Sequence, residues 1–130
     1  MRWGIGASLF AGFAALAGCQ TEHAAVGVGQ DNVAAVALLQ RVNSSAQTCW
    51  IRSKEKAFRG YSVIPELDTG AGKPRILVVQ SKAAQGLPKL VIEADGEPVK
   101  ASLYGPLSDG PLGSRIHADV SRWAAGASSC

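Results

Sequence analysis

Ser114, His117 and Asp119, near the C-terminus of this sequence, carry the side chains that hydrolases combine for nucleophilic catalysis. A histidine can act as general base toward a serine hydroxyl, and a carboxylate can orient the imidazole. The three residues fall within roughly one turn of a helix, which brings them near one another. One hypothesis is therefore a hydrolase that uses His117 with Ser114 or Asp119. It requires that these side chains converge in a pocket. The alternative is that His117 is an ordinary surface residue.

A second group of residues with chemical potential follows Trp50. Residues 51–60 contain four cations and the single acid Glu55, and Phe58 and Tyr61 lie close by. The cations are Arg52, Lys54, Lys56 and Arg59. Basic and aromatic residues together can hold anionic envelope polymers or phospholipid head groups. The candidate binding residues for such a partner are therefore the four cations and Trp50. The same composition also suits a solvated helix end, whose macrodipole favours cations, with the aromatic residues in the core.

Signature motifs of familiar enzyme classes do not occur in this sequence. It has no GxSxG, HExxH or CxxC pattern, so it predicts no catalytic set, no metal site and no cofactor. The segment Gly70-Ala71-Gly72-Lys73 looks like part of a phosphate-binding loop, but Pro74 stands where serine or threonine is required. The formal net charge of +3 is too small to favour nucleic acid as a partner.

The N-terminus has the layout of an export signal. Arg2 and the terminal amino group are followed by the run from Trp3 to Gly18, which contains no charged residue and no proline. The apolar run is about 16 residues long, whereas a membrane-spanning helix needs roughly 20. We therefore expect residues 1–18 to be a signal peptide that is removed.

The run ends in Leu16-Ala17-Gly18-Cys19, which resembles the lipobox of bacterial lipoprotein precursors. The resemblance implies lipidation of Cys19 through a thioether, cleavage between Gly18 and Cys19, and acylation of the new amino group. Two or three acyl chains, at roughly 0.8 kcal/mol for each buried CH₂, would anchor the protein stably. Gln20 rather than aspartate follows the cysteine. For a lipoprotein sorted as in enterobacteria, the resemblance then implies an anchor in the outer membrane, with the protein facing the periplasm. The alternative is a plain signal peptide that is cut nearby.

The sequence contains three cysteines, Cys19, Cys49 and Cys130. If the lipid occupies Cys19, the remaining two are expected to pair, because exported proteins reside in an oxidising compartment. A Cys49–Cys130 disulfide would close a loop of about 80 residues, worth at most roughly 4–5 kcal/mol in the chain-entropy model. A metal site or a catalytic thiol is the alternative, although no CxxC spacing supports it.

The residues that follow the export signal divide into a tether and one folded domain. Residues 19–30 are small and polar and predict a lipidated flexible tether. A helix is predicted at residues 31–50, because the apolar residues of this segment recur at helical spacing and form one stripe. The stripe consists of Ala35, Leu38, Leu39, Val42, Ala46 and Cys49.

Four strands are predicted after this helix, at residues 61–67, 75–80, 89–94 and 97–104. The last two read as a hairpin around Asp95-Gly96, the preferred sequence of a two-residue type I′ turn. That turn pairs Ala94 with Glu97 and places the apolar residues of both strands on one face. The opposite face would carry Lys89, Glu93, Lys100 and Ser102.

A final helix is predicted from Ser114 to Ala125, with Ile116, Val120 and Trp123 as its apolar stripe. The order of elements is α-β-β-β-β-α. It predicts an α+β fold in which a small antiparallel sheet of about four strands carries both helices on one face. Residues 31–130 are expected to form this single domain.

These features favour a lipid-anchored envelope lipoprotein that acts as a binding module or as an accessory or structural subunit. The expected partners are the membrane, through the lipid, and an envelope protein or an anionic polymer. The alternative is the small periplasmic hydrolase based on His117.

Overall fold

A computed structural model of the chain describes residues 30–68, 70 and 72–130. The predicted signal peptide, the cleavage site, Cys19 and residues 20–29 of the predicted tether lie outside the described residues. The elements are α1 (Gln30–Ala46), a π-helical segment (Gln47–Arg52), β1 (Tyr61–Glu66), β2 (Arg75–Gln80), β3 (Leu90–Asp95), β4 (Lys100–Tyr104), α2 (Pro106–Asp109) and α3 (Gly113–Ala124). The predicted α+β fold, with one helix before and one helix after the strands, is confirmed.

The sheet has four strands in the order β1-β2-β3-β4, and every neighbouring pair is antiparallel. One face carries the apolar residues that pack against α1 and α3. The other face carries polar contacts, such as the hydrogen bond of 2.7 Å that the Tyr104 hydroxyl donates to Glu93 Oε1. The buried residues of the packed face are Val63, Ile76, Val78, Leu90, Ile92 and Ala94.

The first helix follows its predicted pattern, since every residue of the predicted apolar stripe is buried. The chain stays helical beyond Ala46 but changes to π geometry from Gln47 to Arg52. This segment carries the buried side chains of Cys49 and Trp50. Short π-helical turns are rare and often occur at functional sites.

The predicted two-residue turn between β3 and β4 is wrong. Ala94 pairs with Ala101 rather than with Glu97, and the connecting loop consists of residues 96–99. Pro98 has no amide N–H to donate to a β-ladder, so pairing begins only after it. Each β3 residue therefore pairs four positions later in β4 than predicted. Because this shift is an even number, the predicted face of each side chain is nevertheless correct.

The C-terminal tail is held against α3 and the π-helical segment. The predicted disulfide between Cys49 and Cys130 is present, with an S–S distance of 2.04 Å. The Trp123 indole donates a hydrogen bond of 3.0 Å to the Ser129 carbonyl, and Arg122 Nη1 donates another of 3.0 Å to the same oxygen. The last residues therefore fold back, although their side chains are exposed.

Asp119 in α3 is a buried carboxylate, with 5% of its surface exposed. It accepts a hydrogen bond of 2.9 Å from the Trp50 indole nitrogen and one of 2.6 Å from Arg122 Nη2. The nitrogen Arg115 Nε lies 3.5 Å from the same carboxylate. Charged and neutral donors thus compensate for the loss of water around Asp119 and join α3 to the π-helical segment.

Replacing Asp119 tests how much this junction stabilises the fold. We expect Asp119→Ala to lower the free energy of unfolding by about 2–4 kcal/mol, because it leaves the buried Trp50 indole N–H without an acceptor. Urea denaturation of the oxidised protein measures the difference. The matched control is Glu97→Ala, which removes the same charge from an exposed loop residue and should cost less than about 0.5 kcal/mol. Equal losses in the two variants would refute the role assigned to Asp119.

Candidate binding cleft

A cleft of about 340 Å³ lies where the π-helical segment, the turn at Lys56–Phe58 and the start of β1 meet. This volume is sufficient for a small ligand or for one part of a larger one. All of the lining residues belong to the continuous stretch 50–61. They are Trp50, Ile51, Lys54, Glu55, Phe58, Arg59, Gly60 and Tyr61.

The base of the cleft is aromatic and closely packed. The rings of Trp50 and Phe58 stack with their centroids 4.7 Å apart and their planes 13° from parallel. Only 1% of Trp50 and 2% of Phe58 is exposed, so both belong to the core as well as to the cleft. Tyr61 is half-buried at the start of β1 and packs against the same core. The aromatic residues therefore give the cleft a rigid base.

Lys54 and Arg59 supply positive charge to the cleft. Both residues are exposed, and neither makes an ion pair with any residue in the ranges that the structure describes. Lys54 adopts a left-handed backbone conformation, with φ at 56°, and its N–H donates to the Ile51 carbonyl at 3.1 Å. This hydrogen bond satisfies a carbonyl of the last helical turn, so the left-handed conformation of Lys54 ends the π-helical segment and turns the chain toward the cleft.

The negative charge of Glu55 in this cleft is balanced by Arg115 of α3. The Arg115 guanidinium donates two hydrogen bonds to the carboxylate, one of them 2.7 Å long between Nη2 and Oε2. The same guanidinium lies 5.5 Å from the centroid of the Phe58 ring. These hydrogen bonds from Arg115 lower the pKa of Glu55, which keeps the acid ionised and paired. The cations Lys54 and Arg59 therefore remain available to a ligand.

The structure separates the five residues predicted to bind an anionic partner into two groups. Trp50, Lys54 and Arg59 line the cleft, whereas Arg52 and Lys56 are exposed outside its lining. Arg115 was not predicted as part of the site. Its partner Glu55 lies 60 residues earlier in the chain, and no local pattern in the sequence signals that contact.

The three residues of the hydrolase hypothesis do not form a catalytic arrangement. Ser114 and His117 are exposed, whereas Asp119 is buried and accepts hydrogen bonds from Trp50 and Arg122. Within the described part of the chain, no hydrogen bond joins His117 to Ser114 or to Asp119. Asp119 therefore stabilises the fold and does not orient the His117 imidazole.

Two other hollows differ from this cleft in their charges. The hollow between α1 and the tail is larger, at about 490 Å³, but Arg41, the only charged residue in its lining, donates to the Ala124 carbonyl at 3.0 Å. In the hollow beside Glu66, of about 190 Å³, Arg75 Nε pairs with that carboxylate at 2.6 Å, and Lys73 pairs with Asp95. Two further hollows also contain cations without an acidic partner among the described residues: Lys100 lines one of about 400 Å³, and Arg59 and Lys82 line one of about 330 Å³. The cleft at Trp50–Tyr61 is distinguished because it combines two such cations with a base of stacked aromatic rings.

Among the described residues, no group of three or more His, Cys, Asp or Glu side chains is placed to hold a metal ion. No helix in that part of the chain has both the length and the apolar character needed to cross a membrane. No family model matches the chain, and no similar curated protein or solved structure is found.

The pair between Glu55 and Arg115 predicts a pH-dependent contribution to stability. Because folding lowers the pKa of Glu55, the pair stabilises the protein at neutral pH, and this contribution is lost as the pH falls below about 4. We expect Glu55→Gln to reduce the free energy of unfolding at pH 7 by up to about 1 kcal/mol, since the pair is partly exposed. The difference from wild type should shrink as the pH falls below about 4 and Glu55 becomes protonated in the folded state as well.

Urea denaturation across this pH range checks the expectation. Glu97→Gln is the control, because Glu97 is exposed and makes no ion pair with the described residues. A Glu55→Gln difference that grows on acidification would contradict the assigned ion pair.

Proposed function

We propose that this protein is a lipid-anchored envelope protein that binds an anionic ligand in the cleft at Trp50–Tyr61. The observation that carries the proposal is the pair of cations, Lys54 and Arg59, that line the cleft without acidic partners among the described residues. The cations of the two other hollows described above are already engaged by protein oxygens. An anion bound between Lys54 and Arg59 would gain attraction without first breaking an ion pair.

The rigid base of the cleft supports binding in a second way. Trp50 is fixed by its hydrogen bond to Asp119 and by its stacking on Phe58. Binding to a preformed site avoids the free energy needed to order its residues. The cleft therefore suits recognition, and the exposed position of His117 gives the hydrolase hypothesis no support.

The chain enters the described fold at the start of the first helix, and the cleft lies beyond the other end of that helix. Helix α1 begins at Gln30, eleven positions after Cys19, and its 17 residues span about 25 Å. The cleft begins beyond the C-terminal end of α1, at Trp50. A lipid on Cys19 would thus attach the domain to the membrane through the residues that precede α1, and none of the residues that line the cleft would belong to that attachment.

Cys19→Ser tests the anchor. We expect wild-type protein expressed in a bacterial host with a lipoprotein pathway to incorporate labelled palmitate and to sediment with membranes. Cys19→Ser should lose both properties, because serine has no thiol to form the thioether. The control is Cys130→Ser, which keeps Cys19 and should remain labelled. Palmitate labelling that persists in Cys19→Ser would contradict the proposed lipidation site.

Charge-removing variants of the cleft test the ligand class. In NMR titrations of the folded domain with galacturonate, a monoanionic sugar acid, we expect amide shifts within residues 50–61. Lys54→Gln and Arg59→Gln should each weaken binding about two- to fivefold, the value of one exposed ion pair. Lys100→Gln removes the same charge from an exposed position on β4 and should leave binding unchanged. If all three variants weaken galacturonate binding equally, the effect comes from the net charge of the protein and the proposed site is refuted.

A further inference from the structure

We infer that the cleft is one half of a longer groove that binds an acidic polysaccharide, an inference that rests on the proposed function. A second hollow, of about 330 Å³, adjoins the cleft. It is lined by Arg59, Gly60, Tyr61, Gln80 and Lys82, so Arg59, Gly60 and Tyr61 belong to both hollows. A ligand longer than the first cleft would continue across these shared residues into the second hollow.

The shared residues are held in place by backbone hydrogen bonds to β2 and to the residue that follows it. Gly60 has φ at +86°, a conformation that other residues rarely adopt, and it carries no side chain that would separate the hollows. Its carbonyl accepts a hydrogen bond of 2.8 Å from the Ser81 N–H, and Tyr61 pairs with Gln80 across β1 and β2. The sheet itself therefore holds the two hollows in a constant relative position.

Positive charge follows the whole length of this groove. Lys54 lines the first hollow, Arg59 lines both, and Lys82 lines the second. All three are exposed, and none makes an ion pair within the described ranges. A single anion can satisfy only part of this row. A polymer with an acidic group on successive units can contact all three cations at once, and each further contact is then intramolecular.

The groove favours a saccharide over a peptide or a nucleic acid. Tyr61 offers a half-buried aromatic ring at the centre, against which the apolar face of a sugar ring can pack. The exposed Gln80 offers an amide donor and acceptor for hydroxyl groups. Strand β1 borders the groove, but Pro65 and the hydrogen bond from Gln47 Nε2 to the Val63 carbonyl hinder the addition of a peptide strand. Single-stranded nucleic acid is usually held by bases that stack on exposed aromatic side chains, whereas Trp50 and Phe58 are almost fully buried.

Oligogalacturonates of defined length test the longer groove, because each sugar carries one carboxylate. We expect the hexasaccharide to bind wild-type protein at least about tenfold more tightly than galacturonate does. Lys82→Gln should weaken hexasaccharide binding about two- to fivefold and leave the shifts that galacturonate causes within residues 50–61 unchanged. Lys100→Gln is the charge-matched control, and a neutral maltohexaose should not bind. Thermal unfolding verifies that each surface variant is folded.

The outcomes separate this inference from the proposed function. If Lys54→Gln weakens hexasaccharide binding but Lys82→Gln does not, the longer groove is refuted and the anion-binding cleft stands. If neither variant differs from Lys100→Gln, both proposals fail. If hexaglutamate or a single-stranded DNA hexamer binds as tightly as the hexagalacturonate, the assignment to a polysaccharide is overturned.

Discussion

The hydrogen bond between the Trp50 indole and the buried carboxylate of Asp119 joins the first half of the folded domain to its last helix. A carboxylate in the interior is tolerated only when donors replace the water that it loses. Trp50 provides one donor at 2.9 Å, and Arg122 provides another at 2.6 Å. Because α3 carries Asp119 and the π-helical segment carries Trp50, satisfying this one charge sets the position of both elements. The Cys49–Cys130 disulfide reinforces the same junction.

The same junction shapes the candidate cleft. Trp50 cannot tilt without losing its bond to Asp119, so its stack with Phe58 is a fixed base. Arg115 precedes Asp119 by about one helical turn and reaches Glu55 at the edge of the cleft. The fold and the site thus depend on a common set of contacts. This dependence explains how a domain with a small sheet can present a preformed surface.

The regular spacing of apolar residues predicted most of the fold, because the residues on the buried face of a helix or strand recur at the period of that element. The stripe of α1 and the alternation in β3 both place apolar residues where the core requires them. The hairpin loop was predicted incorrectly, because Asp95-Gly96 favours a tight turn while Pro98 lacks the N–H that the following pair needs. The short helix α2 was not predicted, because its four residues, Pro106–Asp109, are too few to show a period.

The sequence by itself determined the order of the four strands and the two long helices, the core face of each of these elements, the disulfide and the local concentration of cations and aromatic residues at 50–61. These features depend on residues that are close together in the chain or on the arithmetic of three cysteines. Only the tertiary structure decided that Asp119 is a buried acceptor, that Arg115 neutralises Glu55, and that Lys82 adjoins Arg59. Those relations join residues that are distant in sequence, and a polar contact of this kind leaves no periodic pattern. It follows from how the helices and strands pack.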